Sequence, residues 1–148
     1  MHIAPGGRQD AIGARGETMQ ACDLLDWRVR DDLSDADLQA LFSAVYRRPN
    51  TVPFRTILDH CLFWVSVRRG GTLAGFANVI WDGLYHALIV DRAALDADLH
   101  HQLALKVLEV LKRDYPTVSK VHIECGEDEI PLLSPLGFER RTYGRILY

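Results

Sequence analysis

Two positions in the chain pair a reactive side chain with a strand-like setting. His86 follows the Asp82-Gly83 turn signal, and Glu124 closes an alternating run from Val118. An imidazole and a carboxylate are the side chains that most often take a proton from a substrate nitrogen or oxygen near neutral pH. Each has a plainer reading: a half-buried histidine packed by Trp81, and a solvated carboxylate at a strand end. Cys125, next to Glu124, would be a nucleophile if His122 or His86 stabilised its thiolate. Otherwise it is a buried strand residue on the Val121/Ile123 face. His122, Glu124 and Cys125, with His100 or His101, are all metal-ligating types. In a regular strand, however, residues 122 and 124 point away from 125, so no metal site is expected.

The composition bounds the setting for this chemistry. With 148 residues, 48% apolar and 25% charged, the chain has the size of one globular domain. Seventeen Lys and Arg against twenty Asp and Glu leave a net charge of −3, so neither nucleic acid nor an anionic membrane is an expected partner. The longest apolar stretches, Cys61 to Val67 and Ala87 to Val90, are far short of the ~20 residues of a spanning helix. The first 26 residues carry no apolar run of signal-peptide length, which makes the cytoplasm the default location. Cys22, Cys61 and Cys125 are odd in number and widely spaced, so no disulfide framework is indicated.

Several elements must position these residues. Residues 1–23, rich in glycine and without periodicity, read as a flexible tail, and 24–148 as the working domain. Trp27 to Arg30 alternates like a strand. Ser34 then caps a helix carrying Leu38, Leu41, Phe42 and Val45 at helical spacing, and Pro53 opens a short second helix. Phe63 to Arg69 and Thr72 to Ile80 are strands joined at Gly70-Gly71. Asp82-Gly83 predicts a two-residue hairpin turn pairing Trp81 with Leu84 and Val79 with His86. That register puts Trp81, Val79, Leu84, His86 and Leu88 on one face, with Asn78, Ile80, Tyr85, Ala87 and Ile89 on the other. Leu99, Leu103, Val107, Val110 and Leu111 stripe a helix over 97–113. A strand over 118–124, one or two helical turns over 127–134, and a last extended run to Tyr148 complete the order β-α-α-β-β-β-α-β-α-β. This is an α/β fold with a mixed, mostly antiparallel sheet, helices on both faces and a β-α-β crossover.

That order, the strand Ala87-Leu88-Ile89-Val90 leading into a long helix, and Leu136-Gly137-Phe138 after the short helix together resemble the GNAT superfamily of acyl-CoA-dependent N-acyltransferases. The resemblance runs from Trp27 to Tyr148. It implies that acetyl-CoA or another acyl-pantetheine donor lies between the fourth and fifth strands, bound by Leu88, Ile89 and Val90, with Leu99 and His100 at the following helix start. It implies an N-acyltransferase with a small-molecule amine as acceptor, His86 or Glu124 assisting deprotonation, and a backbone N–H near Leu88 stabilising the oxyanion. Trp81 and Tyr85, with Phe54 and Trp64, would line the acceptor pocket unless they are core. Exposed final strands would permit a homodimer.

The sequence departs from the family at two places. The family's pyrophosphate loop, Arg/Gln-x-x-Gly-x-Gly/Ala, corresponds to Leu95-Asp96-Ala97-Asp98-Leu99-His100, with no glycine and two carboxylates. Like charges ~4 Å apart repel by roughly 1 kcal/mol in water and about 4 kcal/mol at an effective dielectric near 20, enough to offset the pull of a helix N-terminus. The family's thiolate-protonating Tyr corresponds to Leu133. Tyr143 and Tyr148 are candidate replacements or packing residues, and Arg140, Arg141 and Arg145 an anion site or a solvated face. These departures frame a second expectation: a GNAT-fold protein that no longer binds acetyl-CoA, serving as a binding or sensing module or repurposed for other biosynthetic chemistry.

Overall fold

The computed structural model describes residues 24–141. The tail expected over 1–23 lies outside them, as do Cys22, Tyr143, Arg145, Tyr148 and most of the last extended run. The elements are β1 (Leu25–Val29), α1 (Asp35–Tyr46), α2 (Phe54–Leu58), β2 (Phe63–Arg69), β3 (Thr72–Trp81), β4 (His86–Ala94), α3 (Ala97–Asp114), β5 (Lys120–Ile123) and α4 (Ile130–Leu133), followed by a 3₁₀ turn, Ser134–Leu136. The five strands lie in sequence order in one sheet. β1 to β4 pair antiparallel, and β4 and β5 pair in parallel across the α3 crossover.

Local chemistry sets the helix boundaries. The Ser34 hydroxyl accepts the Asp37 N–H, as the capping pattern predicts, and Arg47 ends α1 in the left-handed region at φ 54°. All five residues of the α3 stripe are buried. They pack with Phe63, Val65, Val67, Ala77, Val79, Ala87 and Ile89 on one face of the sheet. α1 and α2 cover the other face through Leu38, Leu41, Phe42, Phe54 and Leu58 against Leu73, Phe76 and Ala93. α3 lies close enough to the sheet that a Cβ on Gly75 would sit 2.8 Å from Val67 and 3.1 Å from Leu103. Only glycine accommodates that approach.

The β3–β4 register differs from the two-residue turn prediction. Trp81 pairs with Ala87, Ile80 with Leu88 and Val79 with Ile89. The connection is longer because the Asp82 carboxylate accepts the N–H groups of Leu84, Tyr85 and His86 at 2.8, 2.8 and 3.1 Å. Asp82 thus organises a wider loop rather than sitting inside a two-residue turn. A shift by an odd number of residues exchanges the faces. Ala87 and Ile89 therefore join Val79 under α3, while His86 and Leu88 lie on the opposite face with Ile80.

A second irregularity lies further along the same pair of strands. Val79 is level with Ile89, but Ala77 is level with Arg92, so Val90 and Asp91 together oppose Asn78. This is a β-bulge. Asn78 is fully buried and holds it from both ends of its amide: Nδ2 donates to Asp91 Oδ2 at 2.9 Å, and Oδ1 accepts the Asp91 N–H at 2.8 Å. β4 then runs on beside β3 to Ala94, whereas its pairing with β5 stops at Ile89 and Ile123. The two parallel strands part at the bulge.

Candidate functional site

Beyond Ile89 and Ile123 the parted strands leave a cavity of about 290 Å³, lined by Tyr46, Val90, Arg92, His100, Glu124, Cys125, Gly126 and Glu129. β4 supplies Val90 and Arg92, the N-terminal turn of α3 supplies His100, and the turn after β5 supplies Glu124 to Glu129. Tyr46, at the end of α1, donates its hydroxyl to the Arg92 carbonyl at 2.7 Å. Because the bulge reverses the alternation, Arg92 sits level with Ala77 on the α3 side.

Arg92 is one of the few buried charged residues among those described, its side chain 7% exposed. Its Nη2 donates to the Glu124 carbonyl at 3.1 Å and lies 2.8 Å from Glu129 Oε1. His100 Nε2 lies 3.2 Å from the same Glu129 oxygen. Proximity is not matched by direction. Among the described residues neither Glu129 Oε1 nor His100 Nε2 has a hydrogen-bond partner of proper geometry, although both atoms are buried. Burial, and then the Arg92 charge, hold the His100 imidazole below its usual pKa against the opposing pull of Glu129 and Asp128. The other carboxylate oxygen of Glu129 accepts the Gly126 N–H at 2.8 Å, closing the turn.

The expected catalytic pair is split by the register. His86 is level with Lys120, at the start of the β4–β5 ladder, and Glu124 follows Ile123 at its end. At about 3.3 Å per residue, four residues of strand separate them by roughly 13 Å. Glu124 is at the cleft. His86 stacks edge-on against His122 at 5.8 Å and lies 3.5 Å from Asp82. Its side chain, 47% exposed, is half-buried as expected, but against His122 rather than Trp81, because the longer loop turns it to the other face. Trp81 meets Tyr115 edge-on at 5.7 Å. Tyr85 is 54% exposed, with its carbonyl accepting the N–H groups of Ser119 and Lys120. Both aromatics therefore belong to the hairpin end of the sheet, away from the cleft.

The expected donor-binding residues also divide. Val90 and His100 line the cleft. Ile89 and Leu99 are core, 1% and 0% exposed. Leu88 is level with Ile80 on one side and His122 on the other, which puts its backbone inside the ladders rather than at their open end. Cys125 is exposed past the end of β5, not buried on the Val121/Ile123 face, because the strand stops at Ile123. Partial burial, followed by Glu129 with Glu127 and Asp128 beyond it, raises its thiol pKa, the opposite of what a nucleophile needs. No group of three metal-ligating side chains occurs among the described residues. Nor is any described helix long and apolar enough to cross a membrane. The sequence reading missed Arg92, Glu129 and Tyr46. Arg92 lies past Val90, where the sequence pattern ends the strand, and its inward position depends on the bulge, which the sequence does not mark.

The start of α3 tests the expectation for an anionic donor group. Asp96 caps the helix with its own carboxylate: Oδ1 accepts the Leu99 N–H at 2.8 Å, and Oδ2 lies 2.9 Å from Arg69 Nη2. The Leu99 amide, opposed by slight burial and helped by Arg69, holds this carboxyl below the usual range. A diphosphate there would displace an internal carboxylate from the amide it needs and meet Asp98 as well. The α3 N-terminus does not fit the nucleotide end of coenzyme A. The gap between the parted strands, spanned by Arg92, offers a place for a narrower, uncharged arm.

No family model matches the chain, and no curated protein does. Solved structures do match its fold. A protein of unknown function from meticillin-resistant Staphylococcus aureus is 21% identical, with 84% of this chain covering 100% of that one at a TM-score of 0.69. A GNAT-family acetyltransferase from Streptococcus pneumoniae is 16% identical, covering 84% and 98% at 0.68. An aminoglycoside acetyltransferase from an uncultured soil sample, solved with sisomicin, is 14% identical, covering 84% and 95% at 0.61. With the five-stranded sheet, the bulge in β4 and the parting of β4 from β5, these likenesses establish that the chain has the GNAT acetyltransferase fold.

Proposed function

We infer that this chain moves an acyl group from a pantetheine-type thioester to the amine of a small molecule. One observation carries the reading: β4 and β5 part at a built bulge and leave a lined cleft instead of completing the sheet. Asn78 gives a buried amide to that bulge, and a sheet without a use for the gap has no need of it. The acetyltransferase names of the structural neighbours support the same class of reaction. The carboxylate cap of α3 favours a donor whose nucleotide contributes nothing, such as a pantetheine arm on a carrier.

The donor supplies an activated thioester carbonyl. The chain supplies the rest. Glu124, exposed at the mouth of the cleft, takes the ammonium proton of the acceptor so that the free amine attacks. The walls formed by Val90 and the 124–129 turn hold the arm in line and limit the approach of water. Arg92, whose guanidinium spans the gap, favours a second reading, a GNAT-fold module that binds a ligand without catalysis.

Thiol release from acetyl-pantetheine and acetyl-CoA, measured over a panel of primary amines, tests the proposal. Comparable rates with both donors, and a kcat about a hundredfold lower in Glu124→Gln at an unchanged melting temperature, are the expected results. No amine-dependent release from either donor would leave the binding module.

A further inference from the structure

The feature of the cleft that an acyl carrier does not require is the ion pair across it. Two parted strands expose backbone groups on their facing edges. Here the Glu124 carbonyl is satisfied not by a neighbouring strand but by the Arg92 side chain reaching over from β4. The same Nη2 faces Glu129 Oε1 at 2.8 Å, so one guanidinium ties β4 to both ends of the turn that follows β5. Apart from an exposed ion pair between Glu127 and Arg140, little else holds that turn down. Residues 124–128 are exposed, α4 has four residues of which only Leu133 is buried, and its link to α3 beyond His100 is the contact of His101 Nδ1 with the Leu132 carbonyl at 3.2 Å.

The pair is also a poor stabiliser. Both charges are largely removed from water, with side chains 7% and 20% exposed, yet Glu129 Oε1 has no directed hydrogen bond and His100 Nε2 beside it has none either. A desolvated ion pair repays its desolvation only when its geometry is good and its remaining valences are filled. This one closes the gap at little net gain, and a ligand that takes its place forfeits little.

Resting on the acyl-transfer reading, we propose that the Arg92–Glu129 pair is an autoinhibitory strap: it closes the cleft between β4 and β5, and a pantetheine arm enters only when the 124–133 segment swings away from β4. Arg92 then releases the Glu124 carbonyl and turns to solvent, while Glu129 keeps its Gly126 contact and moves with the turn.

Calorimetric titration of acetyl-pantetheine into the full chain, paired with amide hydrogen exchange, tests the strap. Glu129→Gln is expected to bind about tenfold more tightly than the wild type and to exchange faster over residues 124–133. Because Glu129→Gln leaves a buried guanidinium without its counter-charge, Arg92→Ala/Glu129→Ala, which removes both charges together, serves as the second variant and is expected to behave the same way. Equal affinity in wild type and both variants, or weaker binding in both, would overturn the strap and leave acyl transfer standing. If no form binds acetyl-pantetheine, the acyl-transfer reading fails, and exchange alone decides: faster exchange over 124–133 in the variants upholds the closure, and unchanged exchange overturns it.

Discussion

The two ends of β4 solve the same problem in opposite ways. At the hairpin end, residues 82–89, one aspartate gathers three backbone amides and the strand pairs fully with both neighbours. At the parted end, residues 90–94, one asparagine holds a bulge open, and a buried arginine replaces the strand that is missing. Both devices are a single short polar side chain bonded to nearby backbone. What differs is burial: Asp82 is exposed and Asn78 is not. A buried device cannot be exchanged for water, so the parted end is the part of the sheet whose shape its residues enforce.

Removing the buried device is expected to cost most. Asn78→Ala leaves the Asp91 N–H and carboxylate without their partner inside the sheet, a loss of about 2 kcal/mol. That lowers the melting temperature by roughly 8 °C for a domain of this length. An unchanged melting temperature would mean that the bulge is held by something other than Asn78.

A smaller effect is expected at the helix that borders the cleft. Asp96→Asn keeps an oxygen on the Leu99 amide and removes the charge, so stability falls by less than about 1 kcal/mol. Its sharper consequence is in binding. Acetyl-CoA affinity rises several-fold while acetyl-pantetheine affinity does not change, as titration of both ligands would reveal. An equal change for both would place the α3 N-terminus outside the donor's path.

His100 separates the two ends by pH. Its folded pKa lies below the ordinary value, so the unfolded chain takes up the proton first. The stability that follows is full above about pH 6.5 and is lost as the pH falls from there toward the folded pKa. Arg92, Glu129 and Asp128 face this ring, the first disfavouring its charge and the other two favouring it. Melting curves from pH 7 to 5 should fall more steeply for wild type than for His100→Gln. Equal slopes would remove His100 as the source.

The smallest effect is expected at the exposed device. The amide N–H groups of Leu84 and His86 hold the Asp82 carboxyl below its usual range. Its contribution is present above about pH 3.9 and lost as the pH falls through the folded value. Asp82→Ala should therefore lower the melting temperature only slightly at pH 7, by nothing measurable well below pH 3, and leave donor binding intact. A loss of donor binding would contradict the independence of the two ends.

What was legible in the sequence follows the same division. Periodicity located the α3 stripe, the Ser34 cap and the strands, because each depends on neighbours within a few residues. The Asp82-Gly83 signal marked a turn but gave the wrong length, since a turn dipeptide does not reveal that its aspartate will bind three amides downstream. The bulge was illegible for a related reason. Asn78 and Asp91 are thirteen residues apart, and strand alternation carries no mark of an inserted residue until the partner is known. Arg92 fell beyond Val90, where the strand was read to end, and Glu129 within the one or two helical turns expected over 127–134; only the parted sheet brings them together. Asp96 and Asp98 were readable as unfavourable to a diphosphate, because charge next to a helix start is local.

The central claim is that the parted strands receive a pantetheine arm and that the nucleotide end of the donor finds no anchor at α3. Calorimetric titration of wild-type protein with acetyl-pantetheine and acetyl-CoA at low salt tests it most directly. The account predicts dissociation constants within about threefold of each other, since a diphosphate that gains nothing at Asp96 changes the binding free energy by less than ~0.7 kcal/mol. Acetyl-CoA binding a hundredfold more tightly than acetyl-pantetheine would contradict it.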